Sequence, residues 1–170
     1  GVGLVGSGFM GRCHASAYSA IPAFFDVPLK PQLKLIADAT EELAQVAAKS
    51  LQFEKSTSDW RELVEDPDVE LVDITAPNYL HHPISMAAME LGKPVYCEKP
   101  LACTLEEARE MSNRAESTGT VTIVGYNYLQ NPLMRTAREI VQSGEIGEPV
   151  GFRGVHAEDY MADPGAAYST

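Results

Sequence analysis

The chain opens Gly1-Val2-Gly3-Leu4-Val5-Gly6-Ser7-Gly8-Phe9-Met10-Gly11-Arg12-Cys13-His14, and the reading of this stretch decides the fold. A short apolar run ends in Gly6-x-Gly8-x-x-Gly11 and passes directly into helix-compatible sequence. Strand, glycine turn and helix thus follow one another at the spacing of a dinucleotide-binding turn. Each glycine has a physical task. Gly6 lets the chain turn tightly off the strand, Gly8 has no Cβ to hold a pyrophosphate away from the backbone, and Gly11 lets the new helix pack close to the sheet. Phe9 and Met10 begin that helix, so their N–H groups lack helical partners and point, with the positive end of the helix dipole, at the phosphates.

The bulk properties bound what surrounds this turn. At 170 residues, 45% hydrophobic and 22% charged, the chain can bury a full core as a soluble globular domain. A net charge of −11 repels phosphate-rich partners, which excludes a duplex nucleic acid or an anionic membrane surface. No apolar run approaches the ~18 residues of a membrane span, and no signal peptide opens the chain. Three cysteines, Cys13, Cys97 and Cys103, form no disulfide framework and fit a reducing cytoplasm. Gly1 falls inside the first strand and the last residues supply no closing element, so a fragment of a longer protein is expected.

Further along, the first helix is predicted to end near Ala20, and Pro22, Pro28 and Pro31 make residues 22–32 a loop. Leu33 to Ala37 reads as the second strand, ending at Asp38. A carboxylate at this strand end can accept hydrogen bonds from both ribose hydroxyls of an adenosine and repels a 2′-phosphate. Ala39-Thr40-Glu41-Glu42 offers no arginine, so NAD is favoured over NADP; the competing role for Asp38 is a cap on a helix over 41–49.

Ser58 to Val64 reads as a short helix with Asp59 and Glu62 at capping-box spacing, and Val69 to Thr75 as a buried strand. Ala76-Pro77-Asn78-Tyr79-Leu80-His81-His82-Pro83 leaves its carboxyl end, where open α/β sheets bind ligands, which nominates Pro77, Asn78 and His81 for the cofactor. Pro94 to Cys97 is another buried strand, followed by Glu98-Lys99-Pro100. A lysine there can hold its ammonium over the crevice against a substrate hydroxyl; the alternative is a surface lysine paired with Glu98. Thr104 to Glu107 is a capping box opening a helix to about Ser117, with Leu105, Ala108, Met111 and Ala115 inward. Cys97 and Cys103 lack a second ligand pair and read as packing, so no metal site is expected.

Val121 to Gly125 is the last strand of the set, and Tyr126-Asn127-Tyr128 leaves its end with groups suited to a carboxamide or a hydroxyl. A helix runs from Asn131-Pro132 through Val141, and a new element begins at Val150. A strand period of two places His156, Glu158 and Tyr160 on one face, either solvated or polyol-binding.

In this order, Gly6/Gly8/Gly11, Asp38, Ala76-Pro77-Asn78-x-x-His81, Glu98-Lys99-Pro100, Gly125-Tyr126-Asn127-Tyr128 and Ser143-Gly144-x-Ile146-Gly147 resemble the N-terminal half of the glucose–fructose oxidoreductase / inositol dehydrogenase / rhizopine-catabolism (Gfo/Idh/MocA) family. The resemblance implies an α/β Rossmann-type, doubly wound parallel sheet over 1–149. From 150 to 170 it implies the start of an open-faced antiparallel α+β substrate domain. It implies hydride transfer between nicotinamide and a secondary hydroxyl of a sugar, anhydrosugar or cyclitol, with Lys99 touching that hydroxyl and the Lys99–Pro100 peptide cis. It adds Glu98 and Asn127 to the cofactor residues and places Tyr128, Glu158 and Tyr160 against substrate. In the family a histidine four residues after an aspartate, on a helix of the second domain, is the general acid/base; His156 does not match that motif. Assembly into a homo-oligomer would use the outer face of the second-domain sheet. Two other readings share the fold and stay open: a glycosidase that retains NAD and oxidises transiently, and a non-catalytic dinucleotide sensor.

Overall fold

The computed structural model describes residues 1–157, 163 and 165. They form two compact units, Gly1–Gly125 and Tyr126–Thr170. The first is built from six parallel strands: β1 (Val2–Val5), β2 (Leu33–Ala37), β3 (Lys55–Thr57), β4 (Leu71–Ile74), β5 (Val95–Cys97) and β6 (Thr122–Val124). They lie in the order β3-β2-β1-β4-β5-β6. Between them run the helices α1 (Phe9–Phe24), α2 (Glu41–Leu51), α3 (Trp60–Glu65), α4 (His81–Glu90) and α5 (Leu105–Thr118). The order reverses between β1 and β4, and a doubly wound sheet opens its ligand crevice at the carboxyl side of that reversal.

Strand alternation sorts the core onto the two faces of the sheet. Leu4 and Ile36 pack with Ala15 of α1 and with Ala47 and Ala48 of α2. Val5, Leu35, Val72 and Ile74 pack on the other face with Leu63 and Val64 of α3 and Ile84 and Ala88 of α4. The sequence pattern of these strands is near-continuously apolar because both faces are covered. Asp73 breaks it, wholly buried in β4 on the face opposite Val72 and Ile74.

Four local expectations need correction. Helix α1 does not stop near Ala20 but runs through Pro22 to Phe24. Pro22 lies in the last turns, where its missing N–H removes a single helical bond and Phe25 N–H still closes on the Ile21 carbonyl at 2.9 Å. The predicted capping box of α3 is half formed: Asp59 accepts from Arg61 N–H, while the Glu62 carboxylate takes the Thr57 hydroxyl instead. Leu105 opens α5 exposed, and only Met111 of that helix is fully buried. Finally, residues 151–157 form no strand; among the described residues of this second unit there is no neighbouring strand to pair with, and an unpaired strand is not stable alone. The α5 capping box of Thr104 and Glu107 is present in both directions.

The second unit contains one turn of 3-10 helix at Asn127–Gln130 and the helix α6 (Pro132–Gln142), with Pro132 at its first position and the Asn131 side chain accepting from Leu133 N–H. No helix among the described residues is long and apolar enough to cross a membrane.

Candidate dinucleotide and active site

Strand register brings the chemistry to one edge. Val5 is level with Ala37 of β2 and Ile74 of β4, and Ile74 is level with Cys97 of β5, which is level with Val124 of β6. The residues that follow, Gly6, Asp38, Thr75, Glu98 and Gly125, therefore leave the carboxyl edge of the sheet side by side. The ladder continues through them: Gly6 N–H donates to the Ala37 carbonyl at 2.8 Å, Thr75 N–H to Val5 at 2.9 Å, Glu98 N–H to Ile74 at 2.9 Å and Gly125 N–H to Cys97 at 2.8 Å.

The glycine turn is held from below. Gly6 has φ +96°, and the Thr75 hydroxyl donates to its carbonyl at 2.8 Å. A Cβ on Gly11 would lie 2.1 Å from that same carbonyl oxygen, so the first turn of α1 packs flush against the strand end. Gly8 is different. Its φ of −62° suits any residue, and a Cβ there would meet no atom within 4 Å. Nothing in the folded chain requires glycine at this position. The space beside it is open, in front of a helix start that has no side-chain cap and no acidic residue in its first turn. Those features fit a pyrophosphate, bound by the N–H groups of exposed Phe9 and half-buried Met10.

Asp38 is fastened to this turn. One carboxylate oxygen accepts Ser7 N–H at 2.9 Å and the Ser7 hydroxyl, and the other accepts Ala39 N–H at 2.7 Å. Helix α2 is capped by Thr40, not Asp38. The carboxylate is thus oriented at the end of β2 with lone pairs left for ribose hydroxyls, a donor set that fits an adenosine.

Pro77 and Asn78 are exposed in the loop after β4, where Asn78 starts a single 3-10 turn. His81 requires correction. Its ring is only 1% exposed, with Nδ1 2.8 Å from the Pro100 carbonyl oxygen and Nε2 2.9 Å from that of Ala76. Both nitrogens face backbone carbonyls, so the ring sits between the loop after β4 and the loop after β5 and presents neither nitrogen to a cofactor. His82 instead pairs with Glu110 at 2.9 Å on the surface.

The Lys99–Pro100 peptide is cis, as expected. Lys99 is exposed, and among the described residues its ammonium has no ion-pair partner, so the surface pair with Glu98 does not form. Glu98 is buried: one oxygen accepts Lys99 N–H at 3.2 Å and the other lies 3.3 Å from His14 Nε2. A Cβ on Gly125 would lie 2.4 Å from that Glu98 oxygen, so glycine at 125 makes room for the carboxylate. Burial pushes the neighbouring Cys97 thiol up to about 12, consistent with a packing cysteine. Asn127 and Tyr128 belong to the second unit, where both are exposed and the Tyr128 ring meets His156 edge-on at 5.8 Å. Glu158 and Tyr160 lie outside the described residues.

Sequence reasoning missed His14. It sits on the inner face of α1 with Gly11, Ala15 and Tyr18, three to four residues apart. Its Nδ1 lies 3.0 and 2.9 Å from the two Asp73 oxygens, and its ring stacks on Tyr96 at 4.9 Å. The signal was available as a histidine on a helix's apolar face and an aspartate inside an apolar strand. Burial opposes the His14 charge, but hydrogen bonding and charge from Asp73, then Glu98, outweigh it and raise its pKa above the ordinary 6.5. Stability gained from His14 ionisation is therefore complete below 6.5 and is lost as pH rises through the raised folded value. Melting temperatures of the chain are expected to fall as pH rises from 6.5 through the raised value, and the fall is expected to shrink in His14→Gln.

Residues 1–126 match the Gfo/Idh/MocA oxidoreductase family with the NAD-binding Rossmann fold. The chain belongs to this family. It is 46% identical to levoglucosan dehydrogenase of Pseudarthrobacter phenanthrenivorans over 99% of its own length and 43% of that protein. It is 30% identical to the scyllo-inositol 2-dehydrogenase (NAD(+)) of Bacillus subtilis, over 89% of the chain and 42% of that protein. Among solved structures, levoglucosan dehydrogenase in complex with NADH and levoglucosan superposes with a TM-score of 0.93 at 46% identity, covering 99% of this chain and 46% of that one. The chain thus spans less than half the length of these relatives.

Proposed function

We propose that this chain is the cofactor half of an NAD-dependent dehydrogenase acting on a secondary hydroxyl of a sugar, anhydrosugar or cyclitol. The observation that carries the reading is the carboxyl edge of the sheet. A glycine turn with open space at Gly8, the oriented Asp38 carboxylate and the Lys99 ammonium, without an ion pair among the described residues, follow neighbouring strands there. When bound, the nicotinamide accepts or donates the hydride. The chain's own residues do the rest. Phe9 and Met10 N–H groups hold phosphate, Asp38 holds ribose, and Pro77 and Asn78 border the crevice. Lys99 Nζ donates a hydrogen bond to the reacting hydroxyl oxygen and stabilises negative charge there as the hydroxyl proton passes to a base, the second-domain histidine that the family resemblance implies. On the same reading Asn127 serves the carboxamide, and Tyr128, Glu158 and Tyr160 serve the substrate, as the family resemblance implies. The levoglucosan and inositol dehydrogenases among the relatives make anhydrosugars and cyclitols the first substrates to assay.

Titration of the chain with both cofactors tests the first half. NAD+ is expected to bind at least about tenfold more tightly than NADP+, roughly 1.4 kcal/mol, because the Asp38 carboxylate repels a 2′-phosphate. Asp38→Ala is expected to erase the preference; equal binding of the two cofactors by the unaltered chain would sink the assignment. Net NADH formation from NAD+ and a polyol by the complete protein separates a dehydrogenase from a glycosidase that recycles its cofactor and from a non-catalytic sensor.

A further inference from the structure

Three ionisable side chains are buried in a row beneath the crevice, and the fold alone does not require them. Asp73 is 0% exposed, and register places Tyr96 of β5 level with it on the α1 face of the sheet. His14 descends from α1 onto Tyr96 and presents Nδ1 to Asp73 and Nε2 to Glu98. The hydroxyl of Tyr18 is buried on the same side; burial, then the charge of Asp73 and hydrogen bonding to it, push its pKa upward.

With both carboxylates ionised, the hydrogen count favours the charged ring. A neutral imidazole carries one N–H, so one of the two carboxylates would face a nitrogen lone pair inside the protein. Only the imidazolium offers a proton to each, and it also offsets one of two buried negative charges. Glu98 continues the row by accepting the main-chain N–H of Lys99 on its other oxygen. The missing side chain at Gly125 leaves the carboxylate the room to do both.

We propose that His14 is a positioning residue: as an imidazolium bridging Asp73 and Glu98, it fixes the Glu98 carboxylate and, through it, the backbone that aims Lys99 into the crevice. The inference rests on the dehydrogenase reading above for its consequence in catalysis, but the bridge itself is a property of this chain. Besides Tyr96 and Tyr18, the groups that face the ring are the two carboxylates named, so those four side chains govern its titration.

The test pairs a spectroscopic titration with a pH profile. In the 170-residue chain, nitrogen chemical shifts of His14 are expected to show both ring nitrogens protonated at neutral pH, with deprotonation above the ordinary imidazole range. In the complete protein, kcat is expected to fall at the same pH, while NAD+ affinity changes little. Asp73→Asn keeps the shape and a hydrogen-bonding oxygen but removes the charge. It is expected to move both the His14 titration and the kcat limb to lower pH by about one unit. His14→Gln is expected to lower kcat by about tenfold and to abolish the limb. A neutral His14 ring at pH 7, or an Asp73→Asn protein whose titration and limb stay where they were, would overturn the proposal. Absence of hydride transfer at every pH would overturn the dehydrogenase reading and the catalytic role with it, and the nitrogen shifts of the chain would still decide the bridge.

Discussion

Lys99→Ala in the complete protein is expected to lower kcat by about two to four orders of magnitude and to leave the dissociation constant for NAD+ unchanged. The lysine is exposed, carries no ion pair among the described residues, and follows a strand whose end is level with the glycine turn and Asp38. Removing its side chain therefore takes away the ammonium that the proposed function assigns to the reacting hydroxyl, and no buried contact. The backbone position survives, because Lys99 N–H is held by Glu98 and the Pro100 carbonyl by His81. Arginine is not a conservative replacement: its planar, delocalised fork cannot reproduce the compact point charge of the ammonium against one hydroxyl oxygen. Stopped-flow measurement of NADH formation, beside calorimetric titration of NAD+, separates the two quantities. Loss of NAD+ binding with normal turnover at saturation would mean that Lys99 serves the cofactor alone.

The parts of this site that were legible in the sequence are those whose chemistry is local. Gly6-x-Gly8-x-x-Gly11 encodes a turn, Asp38 ends an apolar run, and Glu98-Lys99-Pro100 follows another, so each could be placed on its strand end without any long-range contact. Other parts depend on what the strands bring together. β3, Lys55–Thr57, has only three residues, is polar and shows no alternation; it exists because β2 offers it an edge. His81 sits in the same motif as Pro77 and Asn78, yet its ring turns inward to two carbonyls from separate loops, one of them 19 residues away. The row from Asp73 through His14 to Glu98 joins residues from a helix, a strand and the loop after a second strand, with 59 residues separating the first pair. A close reading finds each member locally anomalous, but only the sheet register makes them one group.

The glycine turn gives the second large effect, as a contrast between two substitutions three residues apart. Gly11→Ala places a methyl group 2.1 Å from the Gly6 carbonyl oxygen and 3.0 Å from the Thr75 hydroxyl oxygen. Neither the main chain nor the bonded hydroxyl can withdraw freely, because the Thr75 hydroxyl donates to that same carbonyl. Overpacking of this kind costs typically about 1–3 kcal/mol, so the chain is expected to melt earlier and to bind NAD+ weakly through a distorted turn. Gly8→Ala is expected to behave in the opposite way in the free chain. The backbone there is already compatible with alanine and the methyl group meets nothing. Removing glycine's freedom in the unfolded state should then leave stability unchanged or raise it by up to about 1 kcal/mol. The same methyl group enters the space in front of the Phe9 and Met10 N–H groups, and NAD+ binding is expected to weaken by more than about tenfold, roughly 1.4 kcal/mol. Melting curves and calorimetry on the two variants read stability and binding independently. A Gly8→Ala chain that melts normally and binds NAD+ as tightly as the unaltered one would show that the pyrophosphate does not lie against this turn, and the cofactor reading would fall with it.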